Sequence, residues 1–162
     1  MSYRMYRVFC ATPSDAESDL EAERQAFHDV VGGLNEAEGM PDGILLVPVS
    51  VLPNLTNLNV FQKSVDENVR ACRFFVQVLD HTWGPATRNF EPQYQLATQC
   101  CAAVSLFFKA PNGRPVEPAV SQLRESLLAA QDQRAIDYQG IDDFRTRLRS
   151  QLSGWLRSIE TD

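Results

Sequence analysis

Apolar and polar positions along this chain switch repeatedly between a strand-like run and a helix-like stripe. Residues 5–11 form a mostly apolar run, stopped by Thr12 and Pro13, which reads as a first strand. Leu20, Phe27, Val30, Val31 and Leu34 then recur at helical spacing and predict a helix with one apolar face. Ser14 with Glu17, or Ser18 with Glu21, has the spacing of a capping box at its start. Gly32 and Gly33 weaken its end, and 39–43 reads as a turn. Residues 44–51 carry few charges, as a strand covered on both faces does. An Asn-rich loop at 53–59 leads to a helix near 60–72, and 74–79 is a buried strand. A helix at 94–103 and a strand at 104–108 follow, then a turn at Asn112 and Gly113. The helix expected at 118–133 turns Val120, Leu123, Leu127 and Leu128 inward, and 134–138 is an edge-strand candidate. The last helix, 142–159, carries Phe144, Leu148, Leu152, Trp155, Leu156 and Ile159 on one stripe, with Asp142 as its expected N-cap.

Such alternation implies a parallel sheet with helices on both faces. Five strands and a closing helix fit a three-layer, flavodoxin-like α/β fold of strand order 2-1-3-4-5, expected as a single domain over 1–162. The 162 residues, 44% hydrophobic and 22% charged, have the composition of a soluble globular protein. A formal net charge of -6 argues against a nucleic-acid partner, whose phosphates need a concentrated basic surface. The charge is uneven: nine carboxylates and one arginine, Arg24, lie between Asp15 and Asp42, while Arg145, Arg147, Arg149 and Arg157 crowd the C-terminal segment. That polarity suits docking to a partner or a second copy, or simply two solvated helix faces. Cys10, Cys72, Cys100 and Cys101 have no CxxC spacing and only His28 and His81 accompany them, so reduced thiols are expected rather than a zinc site. No signal-peptide core and no membrane-span length occur, which points to a cytoplasmic protein without a membrane partner. No cofactor is called for.

In an open α/β sheet ligands bind beyond the carboxyl ends of the strands, where the strand order reverses. The loops 12–19 and 80–91 should face each other there. The first lacks the glycines of a flavin phosphate loop. A phosphorylated receiver would use Asp80 as acceptor, but the acidic pair beside strand 1 and a lysine near Tyr138 are missing from the sequence. A third chemistry is cleavage of an N-glycosidic bond, whose oxocarbenium-like state a carboxylate stabilises while aromatic rings hold the leaving base. Glu91 with Trp83, Phe90 and Tyr94 offers such a set, Arg88 a phosphate contact, and Thr12 and Asp80 further ligand contacts at the strand ends. The alternative is that Glu91 is a first-turn acid favoured by the helix dipole and that Trp83 and Tyr94 pack at the sheet's rim. His81 is either an acid–base group or a surface loop residue.

Tyr6-Arg7-Val8-Phe9-Cys10-Ala11-Thr12 followed by Asp19-Leu20-Glu21-Ala22-Glu23-Arg24 resembles the opening of a TIR-like domain family of undetermined function. Asn68-Val69-Arg70-Ala71-Cys72, Trp83-Gly84 and the pattern Glu91-x-Gln93-Tyr94-x-x-Ala97 continue the resemblance through about residue 100. Domains of that family stand at the N-terminus of NACHT or STAND-type ATPases and of bacterial conflict proteins. They are distantly similar to TIR domains and nucleoside deoxyribosyltransferases. The resemblance implies a signalling or effector module with a cleft for a nucleotide-like small molecule and NAD or nucleoside chemistry. It also implies two alternatives, a catalytically silent adaptor that self-associates or docks onto an ATPase module, and a deoxyribosyltransferase-like enzyme. The relatives' catalytic glutamate corresponds to Gln93, whereas Glu91 keeps the first acid of their Glu-x-Glu-Tyr pattern. For Arg24 the resemblance implies a tie between the first helix and the cleft loops, or a ligand contact.

Overall fold

The apolar runs become the strands of one sheet. A computed structural model describes residues 2–13, 20–50, 58–84, 90–110 and 113–160, with side chains detailed except at 58–64 and 160. In chain order the elements are β1 (Arg4–Ala11), α1 (Glu21–Leu34), β2 (Ile44–Ser50), α2 (Leu58–Ala71), β3 (Phe74–Leu79), α3 (Glu91–Cys100), β4 (Ala103–Lys109), α4 (Pro118–Ala129), β5 (Ala135–Tyr138) and α5 (Ile141–Glu160). The sheet has the order β2-β1-β3-β4-β5 with every pair parallel, the three-layer flavodoxin-like arrangement expected from the alternation. β5 is an edge strand, as the sequence suggested, and β2 forms the other edge.

Period-two alternation sends neighbouring residues of each strand to opposite faces. Val8, Cys10, Phe74, Val76, Val78 and Phe107 join the α1 and α5 stripes in one core. Phe9, Ala11, Phe75, Leu79, Leu106 and Phe108 pack with α2, α3 and α4 in the other. All six stripe residues of α5 are buried, as are Leu20 and the four apolar residues of α1. Leu128 departs from expectation: it is 45% exposed, because Val120 and Leu127 already fill the α4 face that meets the sheet.

Other local expectations changed for identifiable reasons. Residues 39–43 are not a simple turn. Helical winding continues from α1 as a π-turn over Asn35–Gly39 and a short 3-10 turn over Met40–Asp42. Asn35 holds this extension to β2, its amide donating to the Leu46 carbonyl at 2.9 Å and accepting from Leu46 N–H at 2.8 Å. Gly39 is required there, since a Cβ would lie 2.7 Å from the Ile44 carbonyl oxygen. α3 begins at Glu91 rather than at 94, with Pro92 in its first turn, where a missing N–H costs nothing. In α5 the Gly140 carbonyl accepts from Phe144 N–H, and Asp143 rather than Asp142 reaches back to Gln139 N–H at 3.0 Å. Ser14, Glu17 and Ser18 of the two capping boxes lie outside the described residues; Leu20 precedes α1 without a side-chain cap.

The charge polarity is spent partly within the chain. α1 and α5 pack side by side, with Arg145 Nη1 3.3 Å from Asp29 Oδ2 and Ser153 Oγ donating to Glu38 at 2.8 Å. No helix among the described residues is long and apolar enough to cross a membrane.

Candidate functional site

Beside β2, which ends on Ser50, four neighbouring strands present polar residues along the carboxyl edge of the sheet: Thr12 just beyond β1, Asp80 beyond β3, Lys109 closing β4 and Tyr138 closing β5. Register places Lys109 directly beside Tyr138. The lysine that sequence order could not put near Tyr138 therefore arrives from the neighbouring strand. α1 covers this row with two consecutive side chains. Glu23 is 1% exposed, with Oε1 3.1 Å from Lys109 Nζ and accepting from the Tyr138 hydroxyl at 3.3 Å. Arg24 donates from Nη1 to Thr12 Oγ1 at 2.9 Å, and its Nη2 lies 3.6 Å from exposed Glu21. Arg24 thus ties α1 to the end of β1. Burial of Glu23 was readable in principle, because it stands four residues before Phe27 on the same helical stripe.

Burial, then the charge and hydrogen bond of Glu23 and the charge of Asp80, push the Tyr138 phenol upward, so it stays a donor. Cys10, beneath the row, is pushed up to about 12 by burial, with Arg24 pulling down and Glu23 pushing up. A thiol so rarely ionised is a poor nucleophile. Iodoacetamide should accordingly modify exposed Cys100 in the native protein while Cys10 reacts only after unfolding; rapid native labelling of Cys10 would contradict this environment.

The loop after β3 is organised by its own polar groups and by one acid from the α4 approach. Asp80 accepts from His81 N–H at 2.7 Å and lies 3.2 Å from His81 Nδ1. His81 is 9% exposed, not a surface loop residue. Glu117 accepts from Thr82 Oγ1 at 2.8 Å and from Trp83 N–H at 3.2 Å, and its own N–H donates to the His81 carbonyl at 2.7 Å. Nothing in local sequence marks Glu117 for this clamp. Gly84 follows at φ 107°, a backbone conformation that favours glycine.

The aromatic pair lies inside the fold. Trp83 and Tyr94 are 1% and 5% exposed, with ring centroids 5.6 Å apart, in the core shared by Phe9, Phe75 and Phe90. Their faces are covered, so a base could stack on them only after this packing opens. Glu91 is exposed in the first turn of α3, whereas Gln93 is buried and donates to Asp66 Oδ1 of α2 at 3.2 Å. Asp66, which sequence reasoning did not single out, is thus a carboxylate beside Gln93. Arg88 lies outside the described residues, as do 14–19, so the facing of the two loops across the β1–β3 switch point is not described.

A cavity of about 300 Å³ opens instead over the ends of β3, β4 and β5, lined by Asp80, Lys109, Ser121, Arg124, Asp137 and Tyr138 among others. Arg124 pairs through two nitrogens with Asp137 on its wall. This volume stands at the small end of ligand pockets. A larger groove of about 560 Å³ lies at the opposite, amino end of β3 and β4. Among the described residues no group of three His, Cys, Asp or Glu side chains is arranged to hold a metal ion. No protein-family model matches this chain, and no curated protein matches it in sequence.

Proposed function

We propose that this protein is a TIR-like signalling or effector module that binds a nucleotide-like ligand at the carboxyl ends of its strands. The observation carrying this reading is the polar row Thr12, Asp80, Lys109 and Tyr138, overlaid by Glu23 and Arg24 and bordered by a cavity. The chemistry suits a nucleotide: carboxylates and a hydroxyl accept from or donate to ribose, and guanidinium and ammonium groups attract phosphate. Binding is favoured over turnover, because the rings proposed to hold a base are packed away and Gln93 cannot supply negative charge. The second reading, a silent adaptor that self-associates or docks onto an ATPase module, draws on those same two features.

The test is incubation with NAD and with nucleosides at high protein concentration, with products read by chromatography and unfolding followed by heat. A bound ligand at about a hundred times its Kd should raise the melting midpoint by roughly 5–10 °C. Should cleavage occur through Glu91, Glu91→Gln lowers turnover by about two decades with affinity nearly intact. Should the site be a relic, wild type is inert and Gln93→Glu restores slow cleavage beside Asp66. A midpoint unmoved by every nucleotide and nucleoside tried would favour the adaptor.

A further inference from the structure

Cys72 follows the last residue of α2 and Cys101 caps α3, so two helix ends deliver one thiol each to the same place. Their sulfurs are 3.1 Å apart, although 29 residues separate them in sequence. Both thiols also point at one acceptor, the Val69 carbonyl, at 3.1 Å from Cys72 and 3.4 Å from Cys101. Two donors thus crowd one carbonyl with their sulfurs in contact, while the adjacent Cys100 thiol also reaches Cys101. Cys72 is buried, whereas Cys101 is half-buried and lines the groove of about 560 Å³ at the amino ends of β3 and β4. Thr98, Arg134, Gln151 and Trp155 are among its walls, and a small oxidant entering there meets Cys101 with Cys72 directly behind it.

We propose that Cys72 and Cys101 are a redox modification site, a thiol pair that a small hydroperoxide converts to a reversible disulfide. The Cys101 sulfur attacks the peroxide oxygen, the O–O bond breaks, and Cys101 becomes a sulfenic acid while water leaves. The Cys72 sulfur then attacks the Cys101 sulfur, the S–O bond breaks, and the departing hydroxide takes up the Cys72 proton. Two thiols and one hydrogen peroxide give one disulfide and two waters. A disulfide bond is about 2.05 Å long, so the sulfurs need to close by only about 1 Å. The hydrogen bond from Cys72, and then burial, push the Cys101 thiol upward, which makes its attack on the peroxide slow. The bond would fasten α2 to α3 at the end away from the strand-end site, in the same helix pair that brings Asp66 to Gln93.

Wild-type protein treated with hydrogen peroxide, then quenched, unfolded, alkylated and mapped without reduction, tests this directly. The expected result is an intact mass lower by about 2 Da before alkylation and, after it, a single Cys72–Cys101 cross-linked peptide with Cys100 alkylated. The melting midpoint should rise by roughly 5–10 °C and fall back with dithiothreitol. Cys100→Ser, at an exposed position, should oxidise like wild type. Recovery of Cys72 and Cys101 as alkylated thiols after treatment overturns the proposal. So does a bond that instead involves Cys100, or a Cys101 sulfinate with Cys72 left reduced.

Discussion

Leu148→Ala is expected to lower the unfolding free energy by about 3–5 kcal/mol. Leu148 has no solvent exposure and sits in the middle of α5, in one core with Phe27, Val31, Val76, Phe107 and Phe144. Deleting its isobutyl group removes transfer energy and leaves a void that two packed helices and a sheet cannot readily close. Leu128→Ala removes the same atoms from an exposed position on α4 and should change stability by less than about 0.5 kcal/mol. Chemical denaturation of the pair measures the difference directly. Equal losses would mean that α5 does not seal the sheet as described.

Lys109→Met is expected to cost about 2–4 kcal/mol, despite keeping the length of the side chain. The loss is not that of a surface ion pair, because Glu23 has almost no access to water while Lys109 is partly exposed. Without the ammonium, the Glu23 carboxylate keeps the Tyr138 hydroxyl at 3.3 Å but no longer has this cation beside it. Burying an uncompensated charge is the expensive step, so removing the charge as well should repair most of the damage. Glu23→Gln combined with Lys109→Met is therefore expected to be more stable than Lys109→Met alone, the sign of coupling in a double-mutant cycle. A double mutant whose losses merely add would dissolve the buried pair as a unit of the strand-end site.

Much of this architecture is written in short-range pattern. The runs at 74–79 and 104–108 are too apolar to face water on either side, and parallel strands buried on both faces look that way. The α5 stripe repeats every three or four residues over about four turns, and only one face of a helix has that period. Alternation of the two patterns then leaves few topologies, and the five-stranded parallel order follows from connection rules rather than from any one residue.

The site was less legible, because its residues meet across long sequence distances. Glu23 and Tyr138 are 115 residues apart, Thr82 and Glu117 are 35 apart, and Cys72 and Cys101 are 29 apart. Periodicity carries no information about such pairs. Charge and burial also conflict at Glu23: its residue type calls for solvent, its spacing calls for the core, and only the arrival of Lys109 and Tyr138 decides for the core. Trp83 and Tyr94 show the converse. Sequence leaves them open as a ligand platform or, more readily, as packing, and contact with the Phe9–Phe75 layer buries them. The chain's local chemistry by itself determined which segments are strands and helices and which faces are apolar, since those depend on neighbours within a turn or two. Which polar groups share one environment was decided by the tertiary structure, because a parallel sheet brings the ends of strands together from remote parts of the chain.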